Sequence, residues 1–253
     1  MIKGVLLDLS GVLYTGDEVL RGALTSIERL DNENVPVRYL TNTTRSPRSA
    51  ILKKLSRMGF DIDEGDLFTA PVATYNYLSA KNLSPFLLVH PDLEPEFSGL
   101  IRDRKDAVVV GDAADGFSYA HMNSAFRLLM EGATLLAMGN NRYFREADGL
   151  SLDIGPYVAA LEYAADTKAI ILGKPAPGFF HAAVESIGCS PGQTVMVGDD
   201  VKSDVIGALE AGLQGILVRT GKYRQGDEDQ LEGKGLCLDN ISAVTDWILE
   251  KYS

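Results

Sequence analysis

Cysteine is almost missing: Cys189 and Cys237 are the only two in 253 residues. They build neither a disulfide framework nor a spaced metal cluster. A reducing compartment fits that usage, with both thiols expected as small buried hydrophobes. Long apolar runs are missing too, and none approaches the ~20 residues of a membrane span. Near the start, Asp8 puts a carboxylate where a signal peptide needs apolar residues. A cytoplasmic protein is expected. Basic residues are outnumbered, 24 Lys and Arg against 35 Asp and Glu, for a formal net charge of −11. Such a surface repels phosphate backbones and anionic lipid, so neither nucleic acid nor a membrane is an expected partner. A small phosphorylated molecule stays compatible, because a pocket can be locally positive. There is no repeat of solenoid period and no low-complexity tract.

What is present is ordinary for a globular chain: 45% hydrophobic and 23% charged residues, which excludes wholesale disorder, collagen and coiled coil. The length allows one large domain or two modest ones. Short apolar runs alternate with amphipathic stretches. Val5–Leu9 ends at Ser10-Gly11, and residues from about Gly22 to Glu33 carry Leu24, Ile27 and Leu30 at helical spacing. Val35–Leu40 ends at Thr41-Asn42-Thr43-Thr44. Ser46-Pro47 opens a helix with Ile51, Leu52, Leu55 and Met58 on one face and Gly59 as its stop. The pattern returns late. Ala169–Leu172 precedes Gly173-Lys174-Pro175, and a helix runs roughly from Gly178 to Ile187. Thr194–Val197 ends at Gly198-Asp199-Asp200, Asp204–Ala211 reads as a helix, Gly215–Val218 as a strand and Ile241–Tyr252 as a last helix. Strand–helix alternation of this kind predicts a Rossmann-like α/β core with a parallel sheet. Between the halves lie Phe86–Val89, Ala107–Val110 and Thr134–Ala137 as strands, with Phe117–Glu131 and Pro156–Ala165 as helices. They read as an inserted α/β domain, residues 71–167, leaving 1–70 and 168–253 as the core.

In an open parallel sheet, ligands sit beyond the carboxyl ends of the strands. The polar residues there are Asp8 and Ser10, then Thr41 and Asn42, then Lys174, then Asp199, Asp200 and Asp204. Each alone reads as a turn former or helix cap. Together they bring hydroxyl and amide donors, a cation and several carboxylates to one sheet edge. Converging carboxylates repel unless a cation sits between them. An oxygen-only donor set suits Mg²⁺ better than zinc. In such a site one carboxylate can attack phosphorus and form an aspartyl-phosphate. A bridging Mg²⁺ neutralises charge between two anions. Thr41, Asn42 and the backbone N–H groups of the Ser10-Gly11 turn can hold the remaining oxygens. Lys174 supplies positive charge, and Gly11 allows close approach of the backbone.

The ordered set Asp8-Leu9-Ser10-Gly11-Val12, Thr41-Asn42, Gly173-Lys174-Pro175 and Gly198-Asp199-Asp200…Asp204 resembles the haloacid dehalogenase superfamily of phosphohydrolases over nearly the whole chain. The large insert resembles the capping domain of its subgroup of p-nitrophenyl and NagD-like phosphatases. The resemblance implies Asp8 as nucleophile and Mg²⁺ ligand, the Ser10 carbonyl and Asp199 as further ligands, and Thr41, Asn42 and Lys174 on the phosphoryl group. Asp204 is implied behind them, orienting Lys174 or a metal-bound water. It also implies pairing of two copies through the cap. One position departs from the superfamily pattern. Most of these phosphatases carry a second aspartate two residues after the nucleophile, and here that position is Ser10. A serine is a poor general acid near neutral pH, so substrates with stable leaving groups are favoured: P–N compounds, pyrophosphate and aryl phosphates. A catalytically weak binding or regulatory protein on the same scaffold, and a phosphomutase, are the alternatives.

Elsewhere, Gly139–Glu146 reads as a loop after a strand, whose polar, aromatic and basic residues either face substrate or form plain surface. His90, His121 and His181 read as structural or surface residues. The acidic stretch Gly226–Glu232 reads as a solvated loop, and Trp247 as core.

Overall fold

A computed structural model describes residues 1–146 and 149–252, and it divides into two compact units. The first comprises Met1–Thr41, Arg48–Phe68 and Lys174–Ser253, and the second Asn42–Pro47 and Thr69–Gly173.

The first unit is built on a six-stranded sheet in the order Leu236–Leu238, Gln214–Val218, Thr194–Gly198, Gly4–Asp8, Val37–Thr41, Leu67–Thr69. Gly4–Asp8 pairs in parallel with Thr194–Gly198 on one side and with Val37–Thr41 on the other. All five of its residues are buried, as expected of a parallel strand covered on both faces. One hydrophobic cluster gathers Val5, Leu7, Val195, Val197, Ile216 and Val218 with Ala23 and Leu30 of the Ala23–Asn32 helix, Ile51 and Leu55 of Arg48–Arg57, and Val244 and Ile248 of Ile241–Lys251. The Pro177–Ser186 helix also packs on the central strand, and a separate cluster joins Val201 and Val205 to Leu217 and Leu231.

The central strand is a switch point. The chain leaves it toward Val37–Thr41 and returns on its other flank as Thr194–Gly198. Crevices beyond the carboxyl ends of strands form at such points.

The second unit has its own parallel sheet, in the order Ile170–Ile171, Thr134–Ala137, Ala107–Val110, Pro85–Leu88. Its cluster includes Leu78 of the Ala70–Lys81 helix, Ala125 and Leu129 of Tyr119–Met130, and Val158 and Leu161 of Ile154–Ala165.

Several segments differ from the expectation. Tyr143–Glu146 is a strand, paired antiparallel with Gly149–Leu152, where a loop is expected. Phe144 there lies under the Arg45 guanidinium, 4.7 Å from the ring centre, and Arg45 Nε donates to Asp112 at 2.5 Å. The side chains of Arg145 and Glu146 lie outside the described ones. The Asp204 helix starts early, as a wide π-type turn over Val201–Ile206 before Gly207–Glu210. The acidic stretch is a built turn: Asp227 accepts from Arg224 N, Glu228 accepts from the Tyr223 hydroxyl, and Leu231 is buried beneath. Leu236–Leu238 is an edge strand that holds Cys237, so this thiol is half-buried rather than buried; Cys189 is half-buried as well, and both are free. The three histidines serve the backbone: His90 caps a turn at Asp92 N, His121 meets Gly116 O, and His181 meets Ala211 O. Trp247 is half-buried and packs against the first core.

Candidate active site

The Gly4–Asp8 strand delivers Asp8 to the carboxyl edge as its last residue, and the chain then turns sharply. Leu13 N donates to Leu9 O at 2.9 Å and Gly11 N to Tyr14 O at 2.7 Å. Gly11 takes φ +86°. A Cβ at Gly11 would collide with the Asp199 carboxylate, so the glycine makes room for a neighbouring acid, which the sequence reading assigns instead to the approach of a ligand. Asp199 directly follows the Thr194–Gly198 strand, beside Asp8. Gly198 likewise leaves the space that the Asp204 side chain fills. Gly207 lets the turn after Asp204 lie against Pro175, because a Cβ there would sit 2.6 Å from the Pro175 Cβ. That contact seats Lys174 next to Asp204.

The four charged side chains are buried together. Asp8 is 8% exposed, Lys174 3%, Asp199 3% and Asp204 2%. Lys174 Nζ donates to Asp8 Oδ1 and, at 2.7 Å, meets Asp204 Oδ1. The other oxygen of Asp204 accepts from Asp200 N at 3.2 Å, so both its oxygens are engaged within the protein. Asp200 is a cap, as its bland reading has it: its Oδ1 accepts from Lys202 N and Ser203 N, and its Oδ2 meets Lys222 Nζ at 3.3 Å.

Three carboxylates face one ammonium, and the electrostatics follow. Burial pushes the Asp8 carboxyl up to about 7; Lys174 opposes the shift and Asp204 adds to it. Burial pushes Asp199 to about 6, against the Lys222 N–H that favours its charged form. For Lys174, burial alone would lower the value, but Asp204 and Asp8 outweigh it and hold the ammonium above its ordinary range. Burial works to raise Asp200, yet the Ser203 N–H and the Lys222 charge leave it below the usual carboxylate value.

Asp8, Asp199 and Asp204 each offer an oxygen, all within 4.8 Å of one another. Among the described residues this is the acidic group that fits a cation. Its donors are oxygens only, which suits a hard divalent ion. With two negative charges beyond what Lys174 balances, a cation would oppose the upward shift that burial, with repulsion from Asp204, imposes on Asp8 and Asp199.

Ser10 is exposed on the Asp8 turn, and Thr41 ends the neighbouring strand. Asn42 belongs to the second unit, where its side-chain oxygen lies against Gly173. The structure adds residues that sequence reasoning passed over. Lys222 N donates to Asp199 Oδ2 at 2.7 Å, and Thr220 Oγ1 donates to Gly11 O. Their signal in the sequence is only Thr-Gly-Lys after a strand. Tyr14, half-buried on the core, sits under Lys54 at 4.9 Å.

A parallel sheet with a buried, lysine-paired carboxylate at its switch point defines a class: α/β proteins with a charged site at the carboxyl edge of the sheet. A family model described as haloacid dehalogenase-like hydrolase matches residues 5–100, and another described as HAD-hydrolase-like matches 171–244. The chain is 46% identical over 250 residues to haloacid dehalogenase-like hydrolase domain-containing protein 2 of Bos taurus, covering 98% of this chain and 96% of that protein. It is 42% identical over 255 residues to phospholysine phosphohistidine inorganic pyrophosphate phosphatase of Danio rerio, covering 98% and 94%. The 4-nitrophenylphosphatase structure from Thermotoga maritima superposes with a TM-score of 0.88 at 27% identity, covering 97% of each chain. The chain belongs to the haloacid dehalogenase-like hydrolases. It is an enzyme of that family, with relatives that are named phosphatases.

Proposed function

We propose that this hydrolase is a Mg²⁺-dependent phosphatase that works through an aspartyl-phosphate on Asp8, with P–N, pyrophosphate or aryl phosphate groups as its favoured substrates. The observation that carries the reading is the buried Asp8–Lys174–Asp204 chain with Asp199 beside it. Asp8 and Asp199, with the Ser10 carbonyl, would hold the ion. Bound there, Mg²⁺ supplies positive charge to the phosphoryl oxygens and to the carboxylates around them.

The chain's own residues do the rest. Lys174 holds Asp8 in one orientation, and Asp204, fixed at both oxygens, holds Lys174. The free carboxylate oxygen of Asp8 attacks phosphorus, the bond to the leaving group breaks, and the leaving group takes the electron pair. Water then attacks the phosphorus of the acyl phosphate, which releases phosphate and restores Asp8. Lys174 gives positive charge to the phosphoryl group in both steps, with Thr41 assigned to its oxygens.

Ser10 sets the substrate preference. Its hydroxyl cannot protonate an alkoxide near neutral pH, and general acid catalysis is typically worth ~10²–10⁴ in rate. Imidazole, phosphate and phenoxides leave without that help. The Danio rerio relative is named for phospholysine, phosphohistidine and inorganic pyrophosphate, and the Thermotoga maritima protein is named a 4-nitrophenylphosphatase; both names agree with this preference. A phosphate-release panel spanning pyrophosphate, phosphohistidine, aryl phosphates, sugar phosphates and nucleotides tests it, with Asp8→Asn as control. Mg²⁺-dependent release from the activated substrates, abolished in Asp8→Asn, is the expected result. No release from any of them would favour a regulatory protein on this scaffold. Ser10→Asp is expected to raise turnover of alkyl phosphates, and unchanged rates on both alkyl and aryl substrates would remove the proton-transfer argument.

Two free thiols support a reducing, cytoplasmic setting, and among the described residues no helix is long and apolar enough to cross a membrane. Pairing of two copies through the second unit is supported by the exposed Tyr143, Leu150 and Leu152 on its hairpin.

A further inference from the structure

The Asp199 carboxylate is gripped from two sides. A Cβ at Gly11 and a Cβ at Gly221 would each strike it, and the same Cβ at Gly221 would lie 2.5 Å from the Gly11 Cα. Two loops, one after the central strand and one after Gln214–Val218, therefore close on one side chain with nothing but backbone between them. Both glycines sit at positive φ, +86° and +61°, which an L side chain rarely adopts. Lys222 N then donates to Asp199 Oδ2 at 2.7 Å, which uses that oxygen and leaves the other for a ligand. Thr220 Oγ1 donates to the Gly11 carbonyl and joins the two loops. Gly11 is three residues from Asp8, so this bond ties the nucleophile's loop to the loop that orients Asp199.

We propose that Thr220 is a positioning residue whose hydroxyl, by clamping the Gly11 loop to the Thr220–Lys222 loop, sets the Asp8 and Asp199 carboxylates at cation-binding separation before the cation arrives. Thr220 would act through the Gly11 carbonyl that its hydroxyl meets, not as a ligand. It acts by removing freedom that the two carboxylates would otherwise lose on binding. Groups that orient metal-ligating residues commonly contribute 10–100-fold in affinity. The inference rests on the phosphatase reading above, in that Mg²⁺ is taken as the ion.

Mg²⁺ titration by calorimetry on the full chain, without substrate, reads the effect directly. Thr220→Val keeps the shape but cannot donate, and its Mg²⁺ affinity is expected to fall about 10–100-fold. Thr220→Ser, which restores the donor, is expected to recover it. Activity of Thr220→Val is expected to approach that of the unaltered protein at saturating Mg²⁺, with a half-saturating concentration raised by the same factor. Wild-type Mg²⁺ affinity in Thr220→Val overturns the proposal, and so does loss of thermal stability with no change in affinity. Thr220→Ala serves if the valine variant does not fold. If neither folds while Thr220→Ser does, the hydroxyl serves the fold and the proposal is equally overturned. Failure of the functional reading would look different, since the unaltered protein would then bind no Mg²⁺ and release no phosphate.

Discussion

At Asp8, burial works against the charge that the proposed reaction needs. The carboxyl is raised from 3.8 to about 7 by burial, and Asp199 from 3.8 to about 6. The sign for stability follows. Carboxyls raised in the folded state contribute fully below the unfolded value near 3.8, and that contribution is lost as pH rises through about 6 and about 7. The cation-free protein is thus expected to lose thermal stability between pH 4 and pH 8. Asp8→Asn, whose amide does not ionise, is expected to melt a few degrees higher than the unaltered protein at pH 8 in the presence of a chelator, with the difference shrinking toward pH 4. Melting curves across that range check it, and a variant less stable at pH 8 than at pH 4 relative to the parent would contradict the burial argument. A second residue makes a simpler case. Thr245 is fully buried in the Ile241–Lys251 helix, and its hydroxyl has no hydrogen-bond partner among the described residues. An unpaired buried hydroxyl costs free energy. Thr245→Val is expected to stabilise the protein by ~1 kcal/mol, read as a higher urea midpoint at unchanged slope. A lower midpoint would show that the hydroxyl is not a burden.

Among the elements, those whose ends carry the site residues are the ones that a sequence displays best. Val5–Leu9 and Thr194–Val197 are near-continuous apolar runs because parallel strands are covered on both faces, and such runs end abruptly at polar residues. Asp8, Thr41, Lys174 and Asp199 stand out for that reason. The Tyr143–Glu146 strand was not legible, because Tyr-Phe-Arg-Glu shows no apolar–polar alternation and its short partner Gly149–Leu152 turns its leucines outward. Leu236–Leu238 was missed as a three-residue edge. The role of the Thr220–Lys222 loop was not legible for a deeper reason: its main contribution to Asp199 is a backbone N–H, which no residue type announces. Close packing between elements is equally silent until coordinates exist. Gly207 reads as an ordinary helix residue, yet it permits contact with Pro175 and so seats Lys174. Gly207→Ala is expected to cost ~1–3 kcal/mol through overpacking and to lower phosphate release by displacing Lys174. Equal stability and rate would show that the turn absorbs the methyl group.

Over the whole molecule, the acidic balance of −11 and the concentration of three buried carboxylates against one lysine describe a chain that a divalent cation should stabilise. On the proposed function Mg²⁺ would bind the native site and not the unfolded chain, so it is expected to raise the melting temperature at pH 8 in a concentration-dependent way. Asp199→Asn is expected to blunt that rise, and an unchanged response would place the ion elsewhere. The doubly covered parallel sheet was readable from apolar periodicity, and the family from four short motifs in order. Periodicity carried nothing about the leaving group; only Ser10, at its place in the Asp8 motif, pointed to a class of substrates.

The central claim is that Asp8 becomes transiently esterified with phosphorus. Rapid acid quench during turnover of a phosphorus-labelled aryl phosphate with Mg²⁺ present tests it most directly. Label is predicted on the peptide that contains Asp8 in the first turnovers, and none in Asp8→Asn, which is also predicted to release no phosphate. Phosphate release by Asp8→Asn at the parental rate, with no label ever carried by the chain, would contradict the account.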